Sequence, residues 1–98
     1  MNETVGHPVD EVDEAAPGGF SFVGLYRSDL TVGLAFKCPG GCGNTHYVDF
    51  DVRPLSRPKW TWNGDRERPT LTPSVWIKTE LGGCGWHGFL TDGVWRTV

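Results

Sequence analysis

Long apolar runs are missing from this 98-residue chain. No stretch approaches the about eighteen consecutive apolar residues of a membrane helix. The N-terminus, MNETVGHPVDEVDE, lacks both the basic start and the apolar core of a secretory signal. Cysteine is scarce, and its count of three is odd, which with no export signal speaks against a disulfide framework. No window shows a helical apolar period, and there are no internal repeats. Glycine and proline are plentiful instead. Fourteen Gly and seven Pro exceed a fifth of the residues, which favours turns and short elements and excludes a helical bundle. With 38% hydrophobic and 21% charged residues the composition is globular. These features predict a small, soluble, cytoplasmic, β-rich domain with no membrane partner.

The net charge of −3 divides unevenly. Glu3, Asp10, Glu11, Asp13 and Glu14 give residues 1–19 a charge of −5 with no base, and residues 20–98 carry +2. Lacking an apolar period and ending in Pro17-Gly18-Gly19, residues 1–19 read as an acidic flexible tail, and residues 20–98 as the folded domain. Within that domain Arg53, Arg57, Lys59, Arg66 and Arg68 surround Trp60 and Trp62. Bases interleaved with aromatics can grip phosphates and stack on nucleobases. Asp65 and Glu67 dilute the charge, and Pro54 and Pro58 break the segment into a loop. A solvated connection anchored by two Trp is the more economical account.

Alternation of period two recurs. In residues 31–37, Val32, Leu34 and Phe36 share one face. In residues 46–52, Val48, Phe50 and Val52 oppose Tyr47, Asp49 and Asp51, which places the two aspartates toward solvent. In residues 74–78, Val75 and Ile77 oppose Trp76 and Lys78. Residues 20–26 form a further strand whose Gly24 marks a bulge. Residues 89–91 and 94–96 flank Asp92-Gly93, the pair suited to a type I′ hairpin turn. The sequence thus predicts an all-β fold of six or seven short, mostly antiparallel strands in a zinc-stapled sandwich or open barrel. The tract Arg68-Pro69-Thr70-Leu71-Thr72-Pro73-Ser74-Val75 reads as a rigid, extended lead-in to a strand, its hydroxyls satisfying backbone groups.

The cysteines fall in two informative contexts. Cys38-Pro39-Gly40-Gly41-Cys42 sets two thiols four apart across a tight turn, and Cys84-Gly85-Trp86-His87 adds a third thiol with an imidazole three residues on. Cys38, Cys42, Cys84 and His87 make up the Cys₃His set of a structural zinc site, and soft thiolates select Zn²⁺ over Mg²⁺ or Ca²⁺. His46, four residues after Cys42, is the competing fourth ligand. His7, in the acidic stretch, is given no role.

Together, CPGGCG, PTLTPSV and CGWHGFLTDGVW resemble an uncharacterised family of small Cys/His domains found in phages and bacteria. Some of its members lie near bacterial ubiquitin-like conjugation genes. The resemblance covers residues 25–96. Members often carry a tighter C-P-C-G-C cluster, whereas this chain has Gly40 at the middle position, which implies that the middle Cys is not an essential ligand. The resemblance implies a metal site and carries no activity with it.

Four protein ligands would close a zinc site, and a hydrolytic zinc needs an open position. No HExxH, phosphate loop or nucleophile elbow occurs. The sequence therefore reads as a non-enzymatic, zinc-stabilised binding module, an accessory protein of a phage or bacterium that contacts a protein partner. Trp60, Trp62 and Trp86 are its interface anchors, because five Trp cannot all be buried in so short a chain. The alternatives are a nucleic-acid-binding zinc domain using the basic segment and, more remotely, a zinc-dependent hydrolase.

Overall fold

The computed structural model describes residues 3–24, 30–50, 60–79 and 83–98. Ten strands form among them: β1 (Glu3–Val5), β2 (His7–Pro8), β3 (Gly19–Gly24), β4 (Thr31–Lys37), β5 (Thr45–Asp49), β6 (Thr61–Trp62), β7 (Leu71–Thr72), β8 (Val75–Trp76), β9 (His87–Thr91) and β10 (Val94–Thr97). A 3₁₀ turn at Val12–Glu14 lies between β2 and β3. The all-β expectation holds, with more and shorter strands than alternation alone suggested. None of the described sheets closes into a barrel.

One four-stranded sheet has the order β1-β10-β9-β8, a second has β2-β3-β4-β5, and β6 and β7 form a separate ribbon. All pairings are antiparallel except β2 with β3. Period two decides which side chains meet between the sheets. Phe20, Leu34, Phe36 and Val48 from one sheet join Val75, Leu90 and Trp95 from the other in a single buried cluster. The Phe36 and Trp95 rings are 4.7 Å apart across it. Burying a side chain of this size contributes roughly 1.5–3 kcal/mol, so the cluster is the main source of stability.

Local signals held where they rested on backbone conformation. Asp92 and Gly93 have φ of 51° and 79°, the double positive φ of the expected hairpin turn. The β3–β4 register shifts at Val23/Gly24, where the bulge was expected. Asp49 is a correction: it is buried at 5% exposure, while Tyr47, two residues earlier on the same strand, is 43% exposed. The end of β5 turns inward, because Phe50 bridges to Trp60 and the Trp60 amide donates to the Asp49 carbonyl at 2.7 Å. Asp51 and Val52 lie outside the described residues.

The acidic stretch is the larger correction. Residues 3–19 are not a free tail: β1 pairs along β10 through Glu3↔Arg96, Thr4↔Trp95 and Val5↔Val94, and β2 runs beside β3. The Trp95 indole donates to the Gly18 carbonyl at 3.0 Å, a buried bond. Gly18 has φ +89°, and a Cβ there would sit 2.8 Å from the Thr4 methyl, so only glycine lets the strand close on the core. Two of the five acids find partners too. Glu3 meets Arg96 at 3.3 Å, and Asp13 accepts from Thr45 Oγ1 at 2.6 Å. Sequence periodicity missed this because pairing through backbone N–H and C=O groups requires few apolar side chains. Deleting residues 1–17 removes several such bonds, each contributing about 1 kcal/mol. A melting temperature lower by roughly 10–20 °C is the expected result of a thermal scan.

Candidate functional site: a Ser–His pair beside three cysteines

β8 and β9 pair antiparallel with Val75 opposite Gly88 and Trp76 opposite His87. Ser74 precedes β8 and is two residues from Trp76, so the period of the strand puts Ser74, Trp76 and His87 on one face. Val75 and Gly88 take the other face and are buried. The consequence is a direct contact: His87 Nε2 lies 2.8 Å from Ser74 Oγ, between residues thirteen apart in sequence. In the tautomer protonated on Nδ1, the serine hydroxyl donates to Nε2. The Trp76 ring stacks on the imidazole at 5.4 Å and 27°, fixing its plane. Among the described residues no carboxylate meets His87. Ser74 is further held through its carbonyl, which accepts from Trp60 Nε1 at 3.2 Å. Both Ser74 and His87 are half-buried, open to a substrate yet sheltered from bulk water. The tract PTLTPSV therefore sets a hydroxyl against an imidazole as well as giving the chain its shape, a contact the lead-in reading missed. The sequence holds no local signal for the contact, because the register of β8 on β9 creates it.

The cysteines converge as expected, with one change in the set. Cys38 at the end of β4, Cys42 in the following turn and Cys84 before β9 place their Sγ atoms within 4.8 Å of one another. Cys38 Sγ and Cys84 Sγ are 3.3 Å apart. Tetrahedral zinc with bonds of about 2.3 Å sets thiolates about 3.8 Å apart, so the trio fits a metal ion with small shifts. Cys38 is fully buried and the other two are exposed. Burial pushes the Cys38 thiol up to about 11. The Asn44 backbone N–H holds the Cys42 thiol below its ordinary value. Gly40 lies under Trp86, where an added Cβ would stand 3.1 Å from the indole, so a side chain at that position would need the ring to give way.

His87 does not join the trio. Its Nε2 is taken by Ser74, and no fourth His, Asp or Glu among the described residues completes the cluster. His46 is not the replacement. It packs 5.8 Å from the Phe36 ring, burial holds its imidazole below the ordinary histidine range, and its Nε2 is buried without a partner.

The other site residues are dispersed. Arg53, Arg57 and Lys59 lie outside the described residues. Arg66 lies over the Phe22 and Trp62 rings at 5.0 and 5.6 Å, also meeting the Thr31 hydroxyl, and Arg68 is 3.9 Å from Asp92. Trp60 and Trp62 pack against the core, with Trp62 stacked on Phe50 at 5.3 Å. Trp86 is buried, its indole donating to Thr97 Oγ1 at 3.1 Å. None of the three is the exposed anchor the sequence suggested. The exposed tryptophan is Trp76, at 55%.

No helix among the described residues is long and apolar enough to cross a membrane. No curated protein and no solved structure matches the chain. A family model does match, over residues 8–98, and its description is "Bacterial ubiquitination-like system serine protease (BubE)". That description overturns the reading of the chain as a non-enzymatic module, which rested on a closed four-ligand zinc site and on the lack of contiguous catalytic motifs. The match starts inside the acidic stretch and spans the strands that bring Ser74 to His87, and the chain belongs to this bacterial ubiquitination-like system serine protease family.

Proposed function

We propose that the chain is a serine hydrolase that cleaves amide bonds within a bacterial ubiquitination-like system, with Ser74 as nucleophile and His87 as general base. The 2.8 Å contact between Ser74 Oγ and His87 Nε2 carries this reading. As Ser74 Oγ attacks a peptide or isopeptide carbonyl, its proton passes to Nε2. The imidazolium then protonates the departing amine, leaving an ester on Ser74. A water, deprotonated by the same nitrogen, hydrolyses that ester and restores the hydroxyl. Trp76 stacked on His87 supplies the orientation that a carboxylate supplies in a triad.

Cys38, Cys42 and Cys84 hold one zinc ion in this reading, and its role is structural. Cys84 lies three residues before His87, so the ion ties the β4–β5 turn to the start of the strand that carries the base. Thiolate ligands suit zinc, and three of them leave the ion little Lewis acidity.

A fluorophosphonate reagent tests the nucleophile. Its phosphorus bonds to Oγ, fluoride leaves, and the Ser74 proton passes to His87. Mass spectrometry of the folded chain is expected to find a single adduct at Ser74, lost in His87→Gln. A chain that stays unlabelled, or is labelled elsewhere, contradicts the proposal.

A further inference from the structure

Beside the Ser–His pair a cleft of about 200 Å³ opens between the two sheets. One wall is β5, with His46, Tyr47 and Val48, and the other is β8 and its continuation, with Val75, Trp76 and Lys78. Its volume is below the roughly 300–1,000 Å³ of a whole small-molecule site and suits one or two side chains. β8 ends its sheet in the described strand order, pairing with β9 on one side only. Ser74 sits at the N-terminal end of that edge and Lys78 towards the other.

We propose that this cleft is the acyl-side specificity subsite of the hydrolase, taking one uncharged, branched apolar side chain of an extended substrate laid antiparallel along β8. The proposal rests on Ser74 being the nucleophile and adds the recognition chemistry. Peptides commonly bind by adding a strand to a sheet edge, where backbone bonds hold them and alternate side chains fill pockets. Antiparallel addition continues the pattern of β8, β9 and β10. A strand running opposite to β8 passes Lys78 first and reaches Ser74 last. The residues over the cleft therefore precede the attacked bond. Val75, which faces the cleft, is one residue from Ser74, about 3.4 Å along a strand, which places the subsite residue one or two positions before that bond. Val48, Val75, Phe36 and Ile77 make its depth apolar. Half-buried His46, its imidazole held below the ordinary histidine range by desolvation, favours its neutral form there. The Lys78 ammonium, 5.0 Å above the Trp76 ring, is the fixed charge on the wall and repels a cationic side chain.

Peptidyl diphenyl phosphonates test this, read by the rate of adduct formation at Ser74 in the full chain. The series carries Gly, Val, Leu, Lys or Asp at the first or second residue before phosphorus. At one of these positions Val or Leu should react at least tenfold faster than Gly, and Lys should be slowest. Lys78→Glu should reverse the order of Lys and Asp in the series. Val48→Ala, if it folds, should shift the preference towards larger side chains. Equal rates across the series, or a charge preference untouched by Lys78→Glu, overturn the subsite and leave the nucleophile standing. A chain that accepts no fluorophosphonate overturns both.

Discussion

Ser74→Ala is expected to lose turnover of a fluorogenic peptide ester by a factor on the order of 10⁴ to 10⁶, with the fold intact. The loss is large because no second group can supply a nucleophile through the same geometry. The single contact removed is the 2.8 Å bond to His87. A hydrogen bond of this kind contributes about 1 kcal/mol, so the melting temperature should move by only about 4–8 °C. His87→Gln should lose activity on the same scale, and the double variant should be little worse than either single one. Residues acting as one unit are not additive. Turnover that survives Ser74→Ala but disappears with chelator would place the chemistry on the cysteine-bound metal instead, and would sink the dyad.

Metal removal should have the largest effect on stability. The chain as purified without chelator is expected to carry one zinc by elemental analysis. A strong chelator under reducing conditions should lower its melting temperature by roughly 15–30 °C. The magnitude follows from loop closure. Cys42 and Cys84 are the ends of a loop of about forty residues, and releasing such a cross-link returns about 4 kcal/mol of chain entropy to the unfolded state. A marginal domain has only about 5–15 kcal/mol in all. Activity should fall with the metal, because Cys84 leads directly into the strand that holds His87 over Ser74. Cys84→Ser should reproduce both effects, and added zinc should restore the chelated native chain but not the variant. A verified metal-free protein with an unchanged melting curve and full activity would show that the three thiols are merely neighbours.

Much of the fold can be read from the residues alone, and the reason is local. Alternation in Thr31–Lys37 tells which side chains are buried, since Val32, Leu34 and Phe36 do line the core. Asp92-Gly93 specifies a hairpin because few other pairs accept two positive φ values. The register of β3 on β4 shifts at Gly24, where glycine inside a strand marks a bulge. The cysteine trio was legible because a soft-metal site is defined by ligand type and short spacings, and the two halves fall in turns flanking strands.

Tertiary structure alone decided the rest. Period two fixes the face of each strand but not its partner or register. The Ser74–His87 contact exists only because Trp76 is registered opposite His87; a slip by one residue would turn Ser74 and His87 to opposite faces. Residues 3–19 join the sheets through backbone hydrogen bonds that composition does not encode, and with them the acidic stretch becomes part of the fold. Asp49 goes inside because Trp60 closes over the end of β5. Trp60, Trp62 and Trp86 find neighbours within the chain, while Trp76, on the edge strand, stays exposed beside His87. The amino-acid sequence by itself determined the secondary-structure class, the hairpin and the thiol cluster, because short-range sterics and ligand chemistry suffice for them. Strand pairing determined the Ser74–His87 contact and the cleft beside it, because both depend on which edges meet.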